Sequence, residues 1–119
     1  MTFEPNTKRI NQRHEVQIPM KIIIDTTEKE VIIQNISVGG LYFEDIGDYK
    51  RKDVYKISFS IPTMDKPIEC EIIIRWVETL NLETDLKGIG AQFLGITAKE
   101  VWSMSKYFTT LAAQNDDDL

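Results

Sequence analysis

Apolar and polar residues alternate along most of this chain, and turn-forming residues interrupt the alternation at short intervals. Val16, Ile18, Met20, Ile22 and Ile24 interleave with Gln17, Pro19 and Lys21, the period-two pattern of a strand with one buried face. Pro19 falls on the outer set, which predicts an edge position or a bulge there. Thr26-Thr27-Glu28-Lys29 reads as a polar turn, and Val31, Ile33 and Asn35 carry the pattern into a second strand that forms a hairpin with the first. Leu41 to Glu44 is a short third strand, closed by a polar loop from Asp45 to Asp53. Tyr55, Ile57, Phe59 and Ile61 make the fourth, which Pro62 ends. The fifth is the longest: Ile68, Cys70, Ile72, Ile74 and Trp76 share one face, and Glu69, Glu71, Ile73, Arg75 and Val77 the other. Residues 88–95 form the sixth.

The period then changes. Thr97 and Glu100 are spaced as a capping box, each side chain reaching the other's backbone amide, so a helix begins there. Val101, Met104, Phe108 and Leu111 give it an apolar stripe, with Trp102, Ser105 and Lys106 beside or opposite it. Asp116 to Asp118 place negative charge at the negative end of the helix dipole, which predicts fraying of the last turn. Six short strands with no helix between them predict an all-β domain with one terminal helix. Its expected architecture is a six-stranded antiparallel β-barrel, closed or nearly so, capped by the C-terminal α-helix. Residues 15–114 would form this barrel and helix, preceded by a flexible arm over 1–14 and followed by a disordered acidic tail over 115–119.

Composition narrows the function. A chain of 119 residues makes one domain. No charged amino end leads into an apolar segment, and the apolar runs are short, so the expectation is a cytoplasmic protein with no membrane insertion. The single cysteine, Cys70, has no partner for a disulfide and reads as a small core residue. His14 is the only histidine and has no cysteine with which to build a zinc site, so no metal is expected. The net charge of −5 argues against broad nucleic-acid binding. An anionic ligand would have to be small and held locally.

Two stretches carry candidate chemistry. In Gln34-Asn35-Ile36-Ser37-Val38-Gly39-Gly40-Leu41 an apolar strand runs into polar residues and a glycine pair. Asn35 and Ser37 offer hydrogen-bonding groups, and Gly39-Gly40 can adopt positive φ and admit close approach to the backbone. Upstream, Arg9 and Arg13 stand four apart on the arm, beside Lys8. Arginine's planar fork donates paired hydrogen bonds that fit a phosphate or the O6/N7 edge of guanine. The competing reading is a plain β-turn plus a solvated basic patch. Catalysis is not expected: Ser37 has no evident base, and no carboxylate pair stands at a diagnostic spacing.

Arg9-x-x-x-Arg13 followed by Asn35-x-Ser37-x-x-Gly40 resembles the two-part signature of PilZ domains, Arg-x-x-x-Arg and Asp/Asn-x-Ser-x-x-Gly. The likeness extends over nearly the whole chain, through the Val-x-Ile-Pro run after the arginines, Arg75-Trp76-Val77, Gly90-Ala91-Gln92-Phe93 and the closing helix. It implies a receptor for the bacterial second messenger cyclic di-GMP, with no other cofactor. By resemblance Arg9 and Arg13 would grip guanine edges and phosphates, with Asn35, Ser37, Gly39 and Gly40 lining the barrel surface. Lys8 stands where many members have a further arginine and would supply charge without the fork. Asn35 is an allowed variant, but its one amide oxygen accepts less well from guanine N1–H and N2–H than a carboxylate. Trp76 would serve as a platform for a base, although its periodicity groups it with the core. The arm is expected to be ordered by the ligand, and a separate effector protein to read the bound state. The alternative is a PilZ-like adaptor that binds proteins and no nucleotide.

Overall fold

A computed structural model describes residues 12–117, with side chains described through residue 114. Most of the expected arm, with Lys8 and Arg9, lies outside the described residues. The strands are β1 (His14–Ile24), β2 (Thr27–Ile36), β3 (Gly40–Ile46), β4 (Val54–Phe59), β5 (Ile68–Asn81) and β6 (Leu86–Leu94), followed by helix α1 (Ala98–Asp117). They close into an antiparallel barrel in the order β1-β2-β3-β6-β5-β4, with β4 pairing back onto β1. The expected architecture is therefore the observed one.

Period-two alternation builds the core. Met20, Ile22, Ile33, Ile36, Leu41, Phe43, Ile68, Ile72, Ile74 and Ile89 point inward and are fully buried, each contributing roughly 1.5–3 kcal/mol of transfer free energy. Helix α1 adds Met104 and Phe108 to the same core, and Thr63 Oγ1 donates to the Ser103 carbonyl at 2.7 Å to tie the β4–β5 loop to the helix. The capping box forms as read: Thr97 N–H donates to Glu100 Oε1 at 2.8 Å, and Glu100 N–H to Thr97 Oγ1 at 3.1 Å. The tail placed at 115–119 begins within the last turn of α1 and ends outside the described residues.

Several details differ from the sequence reading. The first hairpin turns two residues early, at Asp25-Thr26, because Ile24 pairs with Thr27 and Asp25 takes φ 57°, a conformation Asp tolerates better than most residues. The bulge expected at Pro19 lies just upstream, between Glu15 and Ile18. Pro19 sits one residue outside the seam with β4, which spans Met20 to Ile23 on β1, where a missing N–H disturbs no pairing on that side. The β3–β4 loop is less polar than expected: Tyr49 is buried and packs edge-on against Phe43 and Tyr55. Its hydroxyl donates to Asp45 Oδ2 at 2.6 Å, and Asp45 pairs with Lys29 at 2.7 Å. Cys70 is partly buried, and burial first, then Glu100 and Glu71, pushes its thiol up to about 11, which keeps it protonated.

Candidate functional site

Three strand irregularities shape one patch of the outer wall. Between Ile33 and Asn35, β2 carries one residue more than β3 opposite it. Between Ile74 and Trp76, β5 carries one more than β6. The third is the bulge in β1. An extra residue shifts the side-chain alternation by one, so everything beyond it changes face. Strict alternation groups Asn35 with Ile33 and Trp76 with Ile74. The bulges instead return Ile36 to the core and turn Trp76 outward, with 42% of its surface exposed. The periodicity that groups Trp76 with the core is thereby corrected: Arg75 and Trp76 are consecutive and both exposed.

Glycines in β6 make room for what the bulges present. The Trp76 indole lies over Gly90, where a Cβ would run into the ring, and stacks on Tyr42 from β3 at 5.6 Å and 29°. Tyr42 in turn covers Gly88 and donates its hydroxyl to Glu44 Oε2 at 3.0 Å. Burial first, and then Glu44 and Glu78, push that phenol up to about 12. Because β6 runs between β3 and β5, the two aromatics lean toward each other over a glycine floor.

The Ser37–Gly40 loop forms the upper edge. Ser37 is 3% exposed, and its Oγ accepts both the Gly39 and Gly40 amides at 3.2 Å. Ser37 N–H donates to the Gly40 carbonyl at 2.8 Å, and the Gly39 carbonyl accepts Phe93 N–H at 2.9 Å. The glycine amides are therefore directed to Ser37 rather than left bare, and the positive φ considered for this pair is found instead at Gly95. What Gly40 supplies is clearance, since a Cβ there would meet the Ala91 carbonyl oxygen.

Arg13 closes the patch from the side of β1. Its Nη1–H donates to Asn35 Oδ1 at 2.8 Å. Asn35 thus acts on the guanidinium and is not itself among the residues lining the cleft. The cleft encloses about 320 Å³ and brings together Arg13, Ser37, Gly39, Gly40 and Trp76 from the sequence-derived set. It also contains Arg75 and Gln92, which that set lacks. Periodicity alone gives no signal for Arg75, because it places Arg75 and Trp76 on opposite faces. Among the described residues no group of His, Cys, Asp and Glu stands close enough to hold a metal. No helix among them is long and apolar enough to cross a membrane.

A closed six-stranded barrel, packed against a terminal helix and carrying a polar cleft on its outer wall, defines the class of domain. The chain belongs to the PilZ domain family, whose sequence profile matches residues 7–107. No curated protein matches it by sequence. Among solved structures it is similar to the K. pneumonia MrkH–c-di-GMP complex, at 12% identity and TM-score 0.76 over 92% of this chain and 54% of that one. It is also similar to the PilZ domain of Escherichia coli YcgR with c-di-GMP, at 7% identity and TM-score 0.68 over 91% and 94%. A third is the Bacillus subtilis inhibitor of motility MotI/DgrA, at 15% identity and TM-score 0.69 over 87% and 50%. The chain thus spans about half the length of MrkH and MotI/DgrA, and at these identities the likeness is one of fold.

Proposed function

We propose that this chain is a receptor for cyclic di-GMP that passes the messenger's presence to a partner protein and catalyses no reaction. The observation that carries the reading is the cleft itself: a guanidinium held in place by Asn35 lines the same cleft as an exposed indole and the Ser37–Gly40 edge. Such a site offers paired donors for phosphate or guanine and a flat apolar surface for a base. Membership of the PilZ family supports it, as do solved neighbours whose names include c-di-GMP. In this reading Lys8 and Arg9 complete the site from the arm, which the ligand orders. The messenger stacks a guanine on Trp76 and places a phosphate near Arg13.

Calorimetric titration tests it. The wild type binds cyclic di-GMP, and Arg13→Ala weakens binding about 10- to 100-fold, the loss of one charged hydrogen-bonding group. Used as bait, the protein captures its partner in a ligand-dependent manner. A wild type that gives no heat with cyclic di-GMP while retaining its fold would leave the nucleotide-independent adaptor as the surviving reading. Capture of every partner without ligand would contradict the signalling step.

A further inference from the structure

A receptor of this kind must tell guanine from adenine, and of the groups expected from the sequence to do so, those among the described residues are already engaged, while Arg9 lies outside them. Asn35 Oδ1 accepts from Arg13 and does not line the cleft. Ser37 Oγ accepts two backbone amides. One Nη of Arg13 is committed to Asn35. Among the described residues lining the cleft, Arg75 is the guanidinium with an uncommitted fork: none of the side-chain hydrogen bonds or ion pairs among described residues involves it. It is the extra residue of the β5 bulge, directly before Trp76 in the chain and lining the same cleft.

Resting on the receptor reading above, we propose that Arg75 is the specificity-determining residue of the cleft, reading the O6/N7 edge of a guanine that stacks on Trp76. Guanine presents two acceptors on that edge, which match the two parallel donors of the fork. Adenine presents N7 beside an N6 amino donor, and the amino group opposes one branch of the fork. The bulge is the device that makes this reading geometrically accessible. In an unbroken strand two consecutive side chains stand on opposite faces, and a base lying on the indole would have no neighbouring guanidinium. Gln92, in the register opposite Gly40 and Ile73, borders the same cleft with its own amide and satisfies the ligand's remaining polar edge.

The experiment compares affinities for cyclic di-GMP and cyclic di-AMP in the wild type, Arg75→Ala, Arg75→Lys and Arg75→Gln, with Arg13→Ala as control. Arg75 is exposed, so the variants fold, which thermal melts verify. Arg75→Ala loses about 10-fold in affinity for cyclic di-GMP, with little change for cyclic di-AMP. Arg75→Lys keeps the charge but not the fork and recovers only part of the discrimination. Arg75→Gln, whose amide matches the N6/N7 edge of adenine, moves the preference toward cyclic di-AMP. An Arg75→Ala variant that keeps the wild-type ratio, whether its affinities are unchanged or equally weakened, overturns this inference and leaves the receptor reading intact. A folded wild type that binds neither nucleotide overturns both, and an effect of Arg13→Ala without one of Arg75→Ala separates the two failures.

Discussion

Ser37 concentrates the local physics of the cleft in one oxygen atom. Two successive amides converge on it, and its burial means that water cannot replace it. Removing the hydroxyl leaves those amides unpaired, at a cost of about 1–3 kcal/mol. Ser37→Ala is therefore predicted to lower the midpoint of urea unfolding without changing its slope, and an unchanged midpoint contradicts this account. Gly40 and Gly90 act by what they omit, one clearing the Ala91 carbonyl and the other leaving a floor for the indole. At this scale the site is a set of clearances and fixed donors, and none of its parts is unusual alone.

At the scale of elements, α1 is fastened to the barrel at more than one point. Met104 and Phe108 enter the core, and Phe108 also stacks on His14, the first residue of β1, at 4.6 Å and 19°. His14 directly follows Arg13, so the start of β1 beside Arg13 rests on the helix. Burial lowers the His14 pKa below its usual 6.5, because the packed ring favours the neutral imidazole. The unfolded chain binds the proton first, so this contribution is fully present above pH 6.5 and is lost as pH falls through the lowered native value. The thermal midpoint is predicted to fall as the pH drops below 6.5, and His14→Phe, which keeps the stack and cannot titrate, is predicted to flatten that part of the profile. Equal slopes in both proteins would show that the imidazole plays no part.

For the whole molecule, closure and charge matter most. Pairing of β4 with β1 leaves no free edge along that seam, which removes a template for aggregation. A net charge of −5 surrounds a cleft that carries Arg13 and Arg75, so attraction for anions is local and does not extend over a long polyanion. The protein is predicted not to retard duplex DNA in a mobility-shift assay at physiological salt, with or without cyclic di-GMP. Retardation that weakens steeply as salt is raised would instead reveal a continuous basic surface.

The strands, their number and the helix were legible in the sequence because burial of one face imposes a period that few other arrangements share. Ile18 to Ile24 and Ile68 to Ile74 show it plainly. The capping box at Thr97 was legible for a similar reason, since both partners lie within one turn. The residue types of the site, Arg13, Asn35, Ser37, Gly40 and Trp76, were also visible, as chemistry strung along the chain. The sequence could not decide their roles, because those depend on three extra residues and on which strands lie side by side. A bulge at Gln34 and another at Arg75 reverse the alternation, and β6 comes between β3 and β5. Only that arrangement leaves Trp76 outside, gives Asn35 to Arg13 and sets Arg75 at the cleft, because strand alternation is a local rule and strand register is a property of the closed barrel.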